Sequence, residues 1–344
     1  MKLLHIGCHE ILEYDELKLF TQLPGLEVFS PTAYKPPGAN SLRPEPPCRK
    51  PKDKWLQLWA EVPNDPDLPP PHNDKKNHLT PELLAEFDAV YFQHMPFWIE
   101  NNWAALQQWG GTVYYRDIGQ ALNPQELTLK KWAKDGLKII RYSPKTRMHP
   151  NYAGEDAMIR FSKDPSEFVP WAGDRQRVIT VSQNMKGRRQ SCSYDTFIQS
   201  TINLEPLLFG KDNEDSVLTF GGEVSYSRLL EILSWYRCYF YTGTYPAPYT
   251  LNFMEAALSG ISIVALSSYA LELPYPHYEV PDLLRQWGVG AVGHDPVSLE
   301  RAVTQTLTAP LDELRDLSEI QVKEASAMFG YDAVKPQWME LFGL

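Results

Sequence analysis

The chain has 344 residues, 43% of them hydrophobic, with 33 Lys and Arg against 43 Asp and Glu and a formal net charge of −10. This profile excludes a disordered or fibrous chain, leaves room for two domains with a large apolar core, and argues against a protein that coats nucleic acid. Four cysteines, Cys8, Cys48, Cys192 and Cys238, show no CxxC or Cys/His metal spacing, so reduced thiols in a cytoplasmic protein are expected, with no metal site and no disulfide staple.

The opening MKLLHIG is too short for the apolar core of a signal peptide and is soon followed by Glu13, Asp15 and Glu16. Nowhere do about 18 uncharged apolar residues run together, so no membrane insertion is expected. Leu3 to Ile6 reads as a strand, Tyr14 to Leu23 as a helix, Pro24-Gly25 as a turn and Leu26 to Phe29 as a second strand, the start of a βαβ unit. The stretch from Pro31 to Pro81 then holds thirteen of the 29 prolines and the basic segment CRKPKDKW, Cys48 to Trp55. It is expected to be an irregular insertion, either a solvated surface loop or a lid or binding loop.

Strand and helix alternate again from Phe87. DAVYFQH, TVYYRD and LKIIRYS read as strands, and NNWAALQQW and ELTLKKWAK as the helices between them. The pattern restarts at RVITVS, Arg177 to Ser182, and continues through LEPLLFG, SRLLEILSWYR, YFYTG, TLNFMEAALSG and ISIVAL. In SRLLEILSWYR, Leu229, Ile232, Leu233 and Tyr236 fall at helical spacing and predict one buried face. The expectation is an α/β chain of two Rossmann-like domains, residues 1–170 with the insertion 31–81 and residues 171–325, closed by a segment 326–344.

The most informative stretch is YTGTYPAPYTLNFMEAALSGISIVAL, Tyr241 to Leu266. A strand ends, a loop rich in Gly, Pro and Tyr turns the chain through Tyr249, Thr250 caps a short helix, and Gly260 ends it. The N–H groups of Thr250, Leu251 and Asn252 then form an anion site at the carboxyl edge of a parallel sheet, where such sheets bind phosphates. Glu255, one turn further in, is placed to accept hydrogen bonds from a ribose diol; the plain alternative is an ordinary crossover with a solvent-facing Glu.

APYTLNFMEAALSGISIVA resembles the donor-site signature of GT-B glycosyltransferases of the family 4/group 1 type, in which a Glu lies on a short helix followed by small residues, Gly and a buried strand. The likeness runs in order. SRLLEILSWYRCYFYTG takes the place of the preceding helix and strand, GAVGHDPVSLERAV resembles the Gly-rich strand end, Asp-Pro turn and helix, and MFGYDAVKPQWMELF the closing helix that crosses back to the first domain. It covers roughly Arg177 to Phe342. The resemblance implies two facing Rossmann-like domains, a nucleotide-diphospho-sugar as substrate rather than a bound cofactor, and transfer of the sugar to a hydroxyl. One departure is plain: the family often carries two glutamates eight apart, and where Glu255 fills the second, Ala247 stands at the first.

Glycosyl transfer that uses no metal needs protein cations at the departing diphosphate. VSQNMKGRRQ, Val181 to Gln190, follows the first strand of the second domain, where the resemblance places basic residues, and offers Lys186, Arg188 and Arg189. In the first domain two strand ends compete to supply the base. His94 ends DAVYFQH, and Arg116-Asp117 end TVYYRD. The segment TVYYRDIGQ weakly resembles the strand end of phage DNA glucosyltransferases, where an Asp acts as base, which makes Asp117 the first candidate and His94 the second; each residue type serves equally well as a cap or a buried structural group. Gly7, Cys8, His9 and Arg116 are expected to line the cleft. His5, His9, Glu10 and Glu13 also suggest a metal cluster, but no convincing ligand set emerges. The acceptor stays open between a small molecule, a glycan, a lipid-linked species and a modified DNA base; CRKPKDKW with Trp55 and Trp59, and KTR at Lys145 to Arg147, keep DNA in view. A non-catalytic nucleotide-sugar or glycan-binding module is the rival from another class.

Overall fold

A computed structural model describes residues 1–8, 10–31, 51–64, 74–119, 122–215, 219–269 and 275–344; His9, Cys48 and most of the proline-rich stretch lie outside the described residues. The chain divides into two compact units, Met1–Ser162 with Val334–Leu344, and Lys163–Ala333. The crossing thus falls ahead of the position near residue 170 expected from the sequence.

The first unit contains β1 (Lys2–Ile6), α1 (Glu10–Phe20), β2 (Glu27–Phe29), α2 (Asp53–Glu61), α3 (Pro81–Leu84), β3 (Ala89–Gln93), α4 (Pro96–Trp109), β4 (Thr112–Arg116), α5 (Asn123–Ala133), β5 (Lys138–Arg141) and β6 (Ala157–Met158). Its six strands are parallel in the order β2-β1-β3-β4-β5-β6. Alternate strand residues separate two faces. Leu4, Ile6, Val90, Phe92, Val113, Tyr115 and Ile139 enter an apolar cluster with Trp98, Trp103 and Trp132 of α4 and α5. The intervening His5, Tyr91, Tyr114 and Arg116 pack on Phe20 of α1 and on Trp338 and Phe342 near the chain's end. Local chemistry sets the helix limits: Pro96 occupies the first turn of α4, and Gly110 closes it in the left-handed region at φ 76°.

The insertion is less irregular than its prolines suggest. α2 forms because Trp55 can be buried against Phe29 and Phe87, with ring centroids 5.8 and 4.9 Å away. The cations around it are met locally: Lys52 pairs with Glu27 and lies over the Trp55 ring, and Lys54 pairs with Glu86.

The second unit contains β7 (Arg175–Val181), α6 (Tyr194–Thr201), β8 (Leu207–Phe209), β9 (Thr219–Gly222), α7 (Tyr226–Trp235), β10 (Tyr236–Tyr241), α8 (Leu251–Ser259), β11 (Ser262–Leu266), α9 (Val280–Trp287), β12 (Ala291–Gly293), α10 (Pro296–Thr308) and α11 (Leu311–Phe329). Its parallel sheet has the order β12-β11-β10-β7-β8-β9. Val178, Leu208, Cys238, Phe240 and Val264 share one core with Phe197 of α6 and Leu299 and Val303 of α10. Asp295 starts α10 with a capping box shared with Ser298. Two expectations are corrected. Tyr236 is not on the helical face, because α7 passes directly into β10 at that residue, and the buried face of α7 is Leu230, Ile232 and Leu233. The closing segment is not one helix, since Gly330 separates α11 from α12 (Tyr331–Phe342). α12 carries the chain out of the second unit, and Val334 to Leu344 complete the first. Among the described residues, no helix is long and apolar enough to cross a membrane.

Candidate functional site

In an open parallel sheet a ligand binds at the carboxyl ends of the strands where the strand order reverses, because the loops from the two flanking strands part to opposite faces there. Each unit has one such place. In the second it lies between β7 and β10, and in the first between β1 and β3.

At the reversal of the second unit, the loop Ser182 to Ser193 is built rather than slack. Buried Asn213 donates to Ser182 O at 2.7 Å and Gly210 O at 2.9 Å and accepts from Met185 N at 2.8 Å, while Met185 itself is buried. Tyr245 N donates to Ser191 O at 2.8 Å, tying this loop to the one after β10. The three predicted cations differ in what holds them. Lys186 Nζ reaches Asp215 Oδ2 at 3.0 Å, and Arg189 pairs with Asp195. Exposed Arg188 donates only a long bond to the Gln183 carbonyl and has no carboxylate partner among the described residues. It is the cation whose capture of a diphosphate breaks no existing ion pair.

The loop after β10 delivers α8 as expected, with Gly260 ending it at φ 80°. Its N-terminal residues need correction one by one. Tyr249 is 2% exposed, its ring packed near Phe253 and Phe329, so it is core rather than a ligand contact. Thr250 N donates to Tyr241 Oη at 3.0 Å, and the Thr250 hydroxyl meets the same oxygen at 3.1 Å, so the expected anion donor is already engaged. The Asn252 side chain donates to Val181 O at 2.8 Å and fastens α8 to the end of β7. The backbone N–H groups of Leu251 and Asn252 remain in the first turn, where no intrahelical acceptor exists. Glu255 does not face solvent. It is buried, and its Oε1 accepts from Lys163 Nζ at 2.7 Å, a lysine whose side chain is fully buried.

At the reversal of the first unit stand Gly7 and Cys8 after β1 and His94 after β3. Gly7 permits a close approach: a Cβ there would lie 2.6 Å from the Glu13 carboxylate. Cys8 N donates to Gln93 Oε1 at 3.4 Å, which links the two strand ends, and burial pushes the thiol up to about 12 despite the nearby Lys76, so it stays neutral. His94 adopts φ 71°, a left-handed conformation uncommon for a side chain with a Cβ. Its backbone is held there from β4: His94 N donates to Arg116 O at 2.9 Å, and Tyr115 Oη donates to His94 O at 3.0 Å.

The other first-unit candidates are structural. Arg116 is fully buried rather than cleft-lining; Nε donates to Glu16 Oε1 at 3.0 Å and Nη1 to the Ile159 carbonyl at 2.6 Å, with the rings of Phe161 and Trp338 alongside. Glu16 also accepts from Tyr91 Oη at 2.7 Å and Gln93 at 3.0 Å. Burial alone would raise the Glu16 carboxyl, but the His5 ring, with Nε2 3.5 Å from Oε2, and the Arg116 charge outweigh it and hold the group below the usual range. Asp117 lies off the reversal and uses both oxygens: Oδ1 accepts from Gly119 N at 2.8 Å, capping the turn, and Oδ2 from Arg141 at 3.3 Å. Arg141 in turn grips Glu126 with two bonds of 2.7 and 2.8 Å. The Asp117 side chain is 3% exposed, and both of its oxygens already accept hydrogen bonds from the first unit. Among the described residues no group of three or more His, Cys, Asp or Glu is arranged to hold a metal ion.

Sequence reasoning missed Asn213, Tyr241 and Lys163. Asn213 sits in KDNED and Lys163 in RFSKDP, surroundings that read as ordinary polar loop. Tyr241 reads as one more aromatic of a buried strand.

No protein-family model matches the sequence, and no curated protein does either. Solved structures match over essentially the whole chain. HepE of Anabaena, crystallised with UDP-glucose, is 14% identical with a TM-score of 0.65, covering 100% of this chain and 99% of its own. A glycosyltransferase of Rickettsia africae is 10% identical with a TM-score of 0.66, covering 99% and 97%. The N-terminal domain of a trehalose-6-phosphate phosphatase of Candida albicans is 8% identical with a TM-score of 0.59, covering 99% and 96%. Two six-stranded parallel sheets, each with helices on both faces and one reversal of strand order, give this chain the GT-B fold of Rossmann-like domains.

Proposed function

We propose that the chain is a glycosyltransferase that binds a nucleotide-diphospho-sugar at the β7/β10 reversal of the second unit and moves the sugar to a hydroxyl acceptor bound at the β1/β3 reversal of the first. The observation that carries the reading is the second reversal itself, where a pre-shaped loop bearing Arg188 and Lys186 is bonded to the loop that leads into α8. Arg188 engages the diphosphate, Lys186 follows by exchanging Asp215 for phosphate, and the N–H groups of Leu251 and Asn252 add neutral donors. As the bond to the anomeric carbon breaks, these groups stabilise the negative charge that develops on the departing phosphate, without help from a metal. Glu255, whose Oε1 is bonded to Lys163, accepts from the ribose hydroxyls. UDP-glucose bound to HepE supports a nucleotide sugar as the donor class.

On the acceptor side, His94 replaces Asp117 as the base. It stands at the reversal, and a left-handed backbone held by two bonds from β4 is the kind of local strain, about 1–3 kcal/mol, that a packed fold retains where a side chain must be aimed. The acceptor is a small molecule or glycan in this reading. Against DNA, Trp55, one of the aromatics that would have to stack on bases, is buried.

Ala247, in the place of the family's first Glu, favours a second reading, a module that binds nucleotide sugars without turnover. A panel of UDP-glucose, UDP-N-acetylglucosamine, GDP-mannose and TDP-glucose, read by binding and by release of nucleoside diphosphate, separates the two. Binding with slow hydrolysis of one donor is the expected result; binding with no release, even with glycan acceptors, leaves the module, and no binding of any donor removes both.

A further inference from the structure

The buried pair at Glu255 has a partner that no sequence motif announces. Lys163 is the first residue of the second unit. Its backbone N donates to Phe329 O at 2.9 Å, and it forms a parallel bridge with Gly330, so it is fixed at the end of α11. Phe329 in turn packs on Phe253 of α8 and on Trp287, with centroids 6.3 and 6.2 Å away. From this anchored backbone the side chain runs inward, fully buried, and places Nζ 2.7 Å from Glu255 Oε1 and 5.0 Å from the Tyr226 ring.

Burying two charges is expensive, and a well-packed apolar pair of similar volume would usually stabilise a core as well or better. The retention of a charge pair on the helix that leads from the strand-order reversal therefore asks for a purpose other than stability. Asn252 connects the helix that carries the pair to the reversal. Its side chain donates to Val181 O at 2.8 Å, at the end of β7, and Glu255 follows it by about one turn on α8. Glu255 is thus close to the strand end where a nucleotide would lie, and its carboxylate is steered by a lysine whose own backbone cannot shift.

We propose that Lys163 is a positioning residue for ribose recognition: it fixes the Glu255 carboxylate so that the ribose hydroxyls of a bound nucleotide meet an oriented acceptor. This rests on the reading of the second unit as the nucleotide site. A merely structural Lys163 would affect all ligands alike, whereas a positioning one affects only ligands that carry the hydroxyls.

The test uses the full chain and whichever of UDP, GDP, ADP and CDP binds it best, compared with the 2′-deoxy and 3′-deoxy forms by calorimetry. Lys163→Met and Glu255→Gln should each weaken the ribonucleotide about tenfold and the deoxy forms no more than about threefold, as expected when a hydrogen bond to a charged group is lost. Equal losses for all three ligands in Lys163→Met, with Glu255→Gln still selective, overturn the proposal and leave Glu255 in place. Equal losses in Glu255→Gln overturn the ribose role and this inference together, as does failure of all four diphosphates to bind. Should Lys163→Met not fold, Lys163→Arg and Lys163→Gln are compared: Arg should keep the ribose preference and Gln lose it, and equal preference in the two overturns the proposal.

Discussion

The carboxyl ends of the two sheets use charge in opposite ways. In the first unit, Arg116 and Arg141 are fully buried and bound to Glu16, Glu126 and Asp117, so the guanidinium groups hold strands, α1 and α5 together. In the second unit the cations after β7 lie at the surface, and the polar groups inside are mostly Tyr, Thr and Asn that fasten loops to strand ends. A residue type therefore says little about function until its burial is known. Arg116 and Arg188 are the same residue type in the sequence, yet one is buried against a carboxylate and the other is exposed with only a long bond to a carbonyl.

The largest effect that tests this contrast is on turnover. His94→Ala should lower it by about 10²–10⁴, the usual range for a general base, with nucleotide affinity unchanged. On the proposed function, Asp117→Asn should instead reduce stability while the folded variant keeps its turnover; the reverse pattern in steady-state rates would make Asp117 the base. Next, Arg116→Met leaves the buried Glu16 without its cation and should cost about 3–5 kcal/mol in denaturant unfolding. Arg188→Ala should leave stability unaltered and weaken diphosphate binding by about 1.5–3 kcal/mol. Comparable losses of stability in both variants would erase the distinction between the two units. Arg189→Ala, with an exposed cation already held by Asp195, should change either quantity least.

Acid sharpens the same comparison. Because the folded Glu16 carboxyl is held below its ordinary value, its contribution is present above about pH 4.3, the unfolded value, and is lost as pH falls through the lower folded value. Unfolding midpoints measured from about pH 6 down to about pH 3 should fall, and Glu16→Gln should remove part of that slope. An unchanged slope would mean that other carboxylates govern acid unfolding.

Much of the fold was legible. Apolar runs such as Ala89 to Phe92 and Ser262 to Leu266 are strands because nothing else buries so many consecutive side chains, and Gly110, Gly260 and Asp295 mark helix limits by their own backbone and capping chemistry. α2 was hidden because what secures it, Phe29 and Phe87 around Trp55, is remote in sequence. The site was half legible. The β7 loop and α8 stand where the motifs put them, but that Tyr249, Arg116 and Asp117 are buried could not be read there, because burial is a property of the whole sheet rather than of a neighbourhood of residues. Lys163 gave no local signal at all, since its partner is 92 residues away.

The path of α12 has a consequence for synthesis. Trp338, 1% exposed, meets Phe20 and Tyr91 edge to face, stacks on Phe342 and lies 5.3 Å from the Arg116 guanidinium, yet it is translated after every residue of the second unit. During translation the first sheet must therefore wait, with its His5, Tyr91 and Arg116 face covered by α1 but not yet by Trp338, while the whole second unit emerges. At about 5–20 residues per second, the interval from Ser162 to Val334 lasts on the order of ten to thirty seconds. Over that time the apolar surface that Trp338 will cover is open to the non-native contacts that chaperones suppress.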